Sequence, residues 1–346
     1  MRPSFQPRLI NEPLADPGLF IPFLHQRRAL MFDLGDLSNL APRDLVKITH
    51  VFVTHTHMDH FIGFDTLLRA LLGREKILHL YGPGSFFKHV EGKLSGYTWN
   101  LVNEFENRFM IQVNEVHPDK IFTRNYICRD RFVSKAPALS RPFHGSLLEE
   151  PSFKVQAVLL DHRIPCLGLS LTENFYVNII KEELKALRLP VGPWINRFKA
   201  AIYQGMDPAS DFVVTWEDSG HVTKEKSFKL GALIRRIARI SPGQKIAYVT
   251  DVLGDAENAK KIVELAQGAS RFFVEAAFLD SQKEIAKRKY HLTAREAGDL
   301  AGRACVKHFD LFHFSPRNQG RATELEREAG EAYKTARSQS KIQNSL

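Results

Sequence analysis

Cysteine is scarce: 346 residues contain three, Cys128, Cys166 and Cys305, and no two stand at C-x-x-C spacing. An odd, low count of this kind excludes a disulfide framework and points to reduced thiols in a cytoplasmic protein. Cys166 and Cys305 read as core filler. Long apolar runs are missing too. Nothing approaches the ~20 residues that a membrane-spanning helix needs, and Met1–Gln6 has none of the apolar character that heads a secretory signal. No self-similarity at a solenoid period is present, which excludes a repeat array. Acidic residues are outnumbered, 39 against 48 Lys and Arg, for a net charge of +9. An excess of that sign favours an anionic partner such as nucleic acid, although solubility alone produces the same balance. What remains is ordinary globular composition, 44% hydrophobic and 25% charged, in a chain long enough for one large domain or two ordinary ones.

Histidine is where the chain is concentrated. Thr54-His55-Thr56-His57-Met58-Asp59-His60 packs three imidazoles and a carboxylate into one short stretch. The apolar run Ile48–Val53 leads into it and a helical pattern, Phe61–Leu72, leads out. Imidazole nitrogens and carboxylate oxygens are the usual ligands of zinc and similar divalent ions. A strand that stops and drops four such groups into one loop can hold them within a few ångströms of each other. The bland alternative is a polar, His-rich surface turn.

The rest of the chain alternates strands and helices. Ala29–Asp33 reads as a buried strand, with Asp33 either a group beside the metal loop or a turn cap. Ile77–Tyr81 is a strand stopped by Gly82-Pro83-Gly84, a strand-to-helix turn rather than a phosphate loop. Phe153–Leu160 enters the core as a strand and ends at Asp161-His162. Residues 172–240 differ. Lys181–Leu189 and Asn196–Tyr203 are charged helical segments, Pro190-Val191-Gly192-Pro193 separates them, Asp218-Ser219-Gly220 is a turn, and Lys224–Arg239 is strongly basic. That stretch reads as an arm inserted into a single domain spanning 1–346, either a solvated face or a polyanion-binding exosite. Lys245–Thr250, Arg271–Val274 and Phe309–Phe312 then read as strands, and Ala256–Gln267 as a helix. Thr293-Ala294-Arg295-Glu296 and Thr323-Glu324-Leu325-Glu326 match capping boxes, predicting a helix over 294–306 and a C-terminal helix fraying near Ser338.

One regularity links these elements. His55, His162, Asp251, Glu275 and His313 each fall at or just past the end of a predicted strand. Strand ends on one edge of a sheet face a common crevice, so groups far apart in sequence converge there. A buried carboxylate such as Asp251 can bridge two ions ~3.5–4 Å apart, the arrangement that clamps a nucleophile and the attacked group together.

On these residues the chain resembles the metallo-β-lactamase superfamily, and within it the ribonuclease Z-like branch, endonucleases that remove 3′ trailers from precursor tRNA. His55-x-His57-x-Asp59-His60 looks like the superfamily signature. Leu160–Gly168, Tyr248-Val249-Thr250-Asp251, Val274-Glu275-Ala276-Ala277-Phe278, His291-Leu292-Thr293-Ala294 and His313-Phe314-Ser315-Pro316-Arg317 are similar to the branch's later motifs. Leu189–Trp194 is similar to the Gly-Pro motif of its tRNA-binding arm. The chain departs from the branch in lacking a Phe-Leu-Gly-Thr-Gly opening, in Met58 where a Gly is common, and in Thr250 before Asp251.

The resemblance implies an α/β fold, an αββα sandwich with an inserted arm. It implies two zinc ions, with manganese or iron as other occupants. His55, His57 and His162 would hold one ion, Asp59, His60 and His313 the other, and Asp251 would bridge them. It implies a phosphodiesterase acting on RNA, a precursor tRNA, by attack of a metal-bridged hydroxide. Asp59, His291 and Glu275 would act in catalysis, His291 protonating the leaving ribose oxygen and Glu275 orienting or charge-balancing it. A homodimer is a common state in that family. The alternatives are a hydrolase of the same kind acting on a small phosphodiester, a sulfate ester or a lactone, and a non-catalytic RNA-binding protein on the same fold.

Overall fold

The computed structural model describes residues 4–24, 26–134, 136–217 and 222–343. The chain divides into two compact units. The larger holds residues 4–147, 155–171 and 245 onward; the smaller holds 148–154 and 172–244.

In the larger unit, eight strands form a sheet in chain order: β1 (Arg8–Leu9), β2 (Leu19–Pro22), β3 (Ala29–Phe32), β4 (Ile48–Phe52), β5 (Lys76–Pro83), β6 (Phe109–Val116), β7 (Lys120–Ile127) and β8 (Leu139–Pro142). β3 to β6 run parallel, and the pairs outside them are antiparallel. Side-chain alternation explains the layering. Val51, Leu78, Leu80, Ile111 and Val113 point one way, into a core shared with α3 (Phe64–Leu71) and α4 (Phe86–Ser95), whose Phe64, Leu67, Leu68, Phe86 and Val90 are buried there.

A second sheet runs in the order β18 (Phe309–Phe312), β17 (Arg271–Glu275), β16 (Lys245–Val249), β11 (Pro165–Glu173), β10 (Phe153–Asp161), β9 (Ser146–Glu150). β16, β17 and β18 are parallel. Ala247, Val249, Phe272 and Val274 pack against α8 (Ala256–Ala266), α10 (Ala294–Arg303) and α11 (Ala322–Gln343). The faces of the two sheets turned away from helices meet each other. Phe32 lies 5.9 Å from Tyr248, which stacks on Phe312 at 5.0 Å. The layers are therefore helix, sheet, sheet, helix. In the outer layer, a Cβ on Gly298 of α10 would fall 2.1 Å from the Ala329 carbonyl of α11, so these helices approach as closely as they do because that residue has no side chain.

The smaller unit has its own core. β12 (Phe175–Ile179) pairs antiparallel with β15 (Ala238–Pro242), and β13 (Asp211–Glu217) with β14 (Thr223–Lys229). Leu184 of α5 (Lys181–Ala186), Trp194 and Phe198 of α6 (Trp194–Tyr203), Val214, and Leu230, Leu233 and Ile237 of α7 (Leu230–Ile237) bury one another. The charged stretch 224–239 is thus mostly an exposed strand, of which only Phe228 reaches the core, followed by an amphipathic helix whose apolar side faces inward. The turn expected at Asp218-Ser219-Gly220 lies outside the described residues.

Several boundaries differ from the sequence expectation: the helix expected over 294–306 ends at Arg303 and that over Lys181–Leu189 at Ala186, and two further differences have a visible cause. The helix expected over Phe61–Leu72 begins earlier, as α2 (Met58–Phe61), and breaks at Ile62-Gly63 before α3. The reason is Gly63: its N–H donates to Leu34 O, and a Cβ there would fall 2.2 Å from Gly35 O. The turn after β3 therefore occupies the junction. At the C-terminus α11 starts at Ala322, one residue before the expected cap, and continues beyond Ser338 to Gln343. Ala329, Tyr333 and Ala336 hold it against the core, which a charge-rich surface pattern conceals.

Candidate metal centre

The site is assembled where the parallel strands of both sheets end. After β4, Thr54 N donates to Asp33 Oδ1 at 2.7 Å, and His55 turns inward, fully buried. Because α2 starts at Met58, Asp59 and His60 lie on its first turn, His60 buried and Asp59 part-exposed. From the second sheet, His162 follows β10, Asp251 follows β16, Glu275 closes β17 and His313 follows β18. Asp251 and His313 have φ of +50° and +58°. This left-handed backbone costs a non-glycine residue roughly 1–2 kcal/mol, and here it turns each side chain off its strand into the gap between the sheets. The strand-end pattern alone predicts the groups along one sheet edge; they come from two sheets facing each other, as the αββα sandwich implied by the resemblance allows.

Asp251 is the hub. Its Oδ2 lies 3.4 Å from His55 Nε2 and 3.5 Å from both His60 Nε2 and His162 Nε2, and its Oδ1 lies 2.7 Å from His313 Nε2. Two ligand atoms of a tetrahedral ion at 2.0–2.2 Å are about 3.3–3.6 Å apart, so the first three separations have the length of a coordination edge. The 2.7 Å contact is a hydrogen-bond length. Two groups each converge to within 4.8 Å: His55, His57, His162 and Asp251; and Asp59, His60 and His313. A third grouping of Asp251, His291 and His313 shares members with them.

Metal ions fit this donor set. His55 Nε2 and His60 Nε2 are fully buried and make no hydrogen bond, a costly state for polar atoms unless something binds them. Their other nitrogens are engaged, which fixes the tautomers. His162 Nδ1 donates to Tyr290 O at 2.8 Å. His60 Nδ1 faces Asp33 Oδ2 at 2.9 Å. The Thr54 hydroxyl gives its proton to Asp33 Oδ2 at 3.0 Å, so it accepts from His55 Nδ1 at 3.1 Å. Each ring then carries its proton outward and presents a bare Nε2 inward, as ligation requires.

Charge follows the same logic. Burial opposes ionisation of Asp251, but His313 and His60 overcome it and hold the carboxyl well below the usual range. Burial likewise disfavours charge on His60, and Asp251 and Asp33 outweigh it, so a cation is favoured there, either a proton or a metal in its place. Burial, then His55 and His162, lower His57 to about 4 and keep its nitrogen available. Cys166 Sγ lies behind His55, 3.9 Å from Nδ1, and donates to Thr250 O at 3.4 Å. Burial, then the nearby carboxylates, push its thiol well above its usual value, in keeping with a packing role.

His291 stands beside the ligands. Its Nδ1 is 2.7 Å from Glu275 Oε2, and the other oxygen of this buried carboxylate accepts from Val252 N and Leu292 N. Burial works against the imidazolium, but Glu275 and then Asp251 raise its pKa to about 9 in the metal-free chain. His57, Asp59, His162, Asp251, His291 and His313 line a cavity of about 350 Å³ with Phe278, Lys289 and Ser315. Met58 is 77% exposed and is not among the residues that line this cavity.

All seven expected ligands and both expected auxiliary residues are therefore brought to one place. Of the two readings open for Asp33, the structure takes the group beside the metal loop; what the sequence did not reveal is how many partners it supports. Asp33 accepts from Thr54 N, the Thr54 hydroxyl, His60 Nδ1 and the Tyr248 hydroxyl at 2.7–3.0 Å. A strand-end aspartate was visible in the sequence, but its partners lie 21 to 215 positions away.

No protein-family model matches the chain. In sequence it is 29% identical over 291 residues to the ribonuclease Z of Deinococcus radiodurans, across 83% of this chain and 82% of that one. It is 28% identical over 328 residues to the ribonuclease Z of Halalkalibacterium halodurans, across 91% and 87%. In structure it is similar to the metallo-β-lactamase fold protein YhfI of Bacillus subtilis, with a TM-score of 0.55 and 15% identity over 95% of this chain and 94% of that one. It is also similar to yeast PDE1, with a TM-score of 0.50 and 10% identity over 98% and 95%. The chain has the metallo-β-lactamase fold.

Proposed function

We infer that this chain, a ribonuclease Z-like member of the metallo-β-lactamase fold, is a metal-dependent endoribonuclease that processes the 3′ end of precursor tRNA. The observation that carries the chemistry is the convergence of three His Nε2 atoms on one oxygen of the buried Asp251 and of His313 on the other. The RNA substrate rests on the ribonuclease Z relatives, which match over four-fifths or more of both chains.

His55, His57 and His162 would hold one divalent ion, Asp59, His60 and His313 a second, with Asp251 shared; zinc suits this nitrogen-rich set, and manganese or iron are the alternatives. Bound there, the ions would lower the pKa of water towards ~7 and offset charge on the phosphoryl oxygens. The protein's own groups do the rest. Asp59, the least buried carboxylate of the set, can orient a nucleophilic water. His291 holds a proton at the cavity wall and delivers it to the leaving ribose oxygen. Glu275 fixes that ring through Nδ1, so Nε2 faces the substrate. The smaller unit, with its basic β14 and α7, is proposed as an RNA-binding exosite, and the protein as a cytoplasmic homodimer. Among the described residues no helix is long and apolar enough to cross a membrane.

The test is cleavage of a 3′-extended precursor tRNA by protein purified without chelator. Wild type should release the trailer and bind about two ions per chain. His291→Ala should keep its metal and lose about 10²–10⁴-fold in rate, the range of general acid catalysis. Intact precursor together with hydrolysis of a small aryl phosphodiester would overturn the tRNA substrate; absence of bound metal would overturn the chemistry.

A further inference from the structure

We propose that Arg163 and Tyr290 form a clamp that positions His291 against the first metal half-site. This rests on the reading of His291 as proton donor. Tyr290 sits between two functions. Its backbone carbonyl accepts from His162 Nδ1 at 2.8 Å, fixing the tautomer of a candidate ligand, and the next residue is His291. Its ring carries the Arg163 guanidinium 4.4 Å from the centroid, and Arg163 directly follows His162. Two adjacent pairs, His162-Arg163 and Tyr290-His291, are thus tied twice, once by a hydrogen bond and once by a cation–π contact.

The backbone at both positions is unusual. Arg163 has φ of +63° and Tyr290 of +61°. Glycine adopts this region without strain; residues with long or aromatic side chains rarely do. Here both strained positions carry bulky side chains, and those side chains meet each other. Strain of this kind persists where the surroundings over-determine the conformation, and it gathers at functional sites. The surroundings are visible on both sides. Arg163 N donates to Asp161 Oδ1 at 2.7 Å, and Asn258 holds Asp161 through both its N–H and its carbonyl. Tyr290 N and His291 N close α9 (Lys283–Lys289) on Lys287 O and Ala286 O. The Glu275 contact sets the rotation of the His291 ring; the clamp sets where the turn carrying that ring stands relative to His162. Arg163 and Tyr290 are positioning residues: their effect on the reaction runs through His291 and His162.

A proton donor matters in proportion to how poor the leaving group is. Two small phosphodiesters with a common core are therefore compared, one releasing nitrophenolate and one releasing phenolate, using metal-loaded protein. Tyr290→Ala should lower kcat on the phenyl ester at least about tenfold more than on the nitrophenyl ester, with KM unchanged, as a displaced donor requires. His291→Ala should show the same dependence. Tyr290→Phe, which keeps ring and carbonyl, should restore wild-type behaviour, and Arg163→Gly should reproduce the Tyr290→Ala pattern more weakly. Equal losses on both esters would mean a merely structural role and overturn the clamp. So would a raised KM with kcat unchanged in Arg163→Gly, which would make Arg163 a substrate contact. A readout independent of turnover is the ¹⁵N-detected ring signals of His162 and His291 with and without zinc. Tyr290→Ala should broaden or double both, and unchanged signals would overturn the proposal even if no ester is cleaved. Wild type that cleaves the esters but not precursor tRNA would remove the RNA reading and leave the clamp standing.

Discussion

Asp33 stands behind the candidate centre, hydrogen-bonded to its histidine loop rather than placed among the candidate ligand atoms. An ionised carboxylate only accepts hydrogen bonds, and Asp33 receives four from Thr54, His60 and Tyr248 in a fully buried setting. In Asp33→Asn, one of the two accepting positions becomes an NH₂ group that faces a donor. His60 then has reason to carry its proton on Nε2, the nitrogen proposed to hold the second ion. The expected result is loss of the Asp59–His60–His313 ion first, with metal affinity down about 10–100-fold, the usual effect of removing a partner behind a ligand. The unpaired donors should also destabilise the metal-free protein by about 1–3 kcal/mol. Chelator competition with metal counting, alongside thermal unfolding, checks both; two ions held at wild-type affinity would refute the role. The same residue shows the limit of reading a site from sequence. His55, His57, Asp59 and His60 announce themselves by spacing, and His162, Asp251 and His313 by standing where apolar strands stop. Asp33 does the latter too, yet nothing local says that Thr54 and Tyr248 will meet it. Tyr290 is harder still, because its contribution to His162 is a backbone carbonyl.

At the scale of elements, alternating strands and helices were legible because each apolar run ends in a polar or glycine residue. The pairing of two sheets was not legible in the patterning, since it depends on which faces lack helices; it came from the resemblance, whose implied αββα sandwich is the layering observed. β4 and β5 illustrate this. Their alternate residues include His50 and His79, which stack at 4.4 Å on the face turned from the helices, continuous with Phe52 and Tyr81. Arg28 Nη2 lies 3.4 Å from His50 Nδ1 and can only donate, which keeps that nitrogen bare. Burial, then His79, Arg28 and Lys76, lower the His50 pKa to about 3, and burial lowers that of His79 as well. The unfolded chain binds these protons near pH 6.5 while the folded chain refuses them. The stability so gained is complete above about pH 6.5 and is lost as pH falls toward 3. Unfolding of the metal-free protein should therefore become easier between pH 6.5 and 4, and His50→Phe should flatten that slope by up to about 1.4 kcal/mol per pH unit. Parallel stability curves for the two proteins would show that His50 does not carry the effect.

At the scale of the whole molecule, the smaller unit poses the remaining question. Its sequence suggests a charged arm; its structure adds a private core of Trp194, Phe198, Val214, Leu230, Leu233 and Ile237, hidden among lysines and arginines because only one side of α7 is apolar and β14 contributes little but Phe228. A segment that buries its own apolar residues should be removable without collapsing the rest. The geometry of its base says how. β12 and β15 are antiparallel and Phe175 pairs with Pro242, so their Cα atoms stand about 5 Å apart. Replacing residues 176–241 by a short Gly-Ser link should leave cleavage of a small phosphodiester within about threefold of wild type, since every candidate ligand lies outside the excision. If the unit is an RNA exosite, precursor tRNA loses a tethered second contact. Its kcat/KM should then fall about 10²-fold, the lower end of what linked binding provides. The remaining reaction should also depend less steeply on salt, because fewer phosphates are neutralised. Losses of equal size on both substrates would make the unit a structural part of the hydrolase, and unchanged tRNA cleavage would leave its basic face without a role in RNA binding.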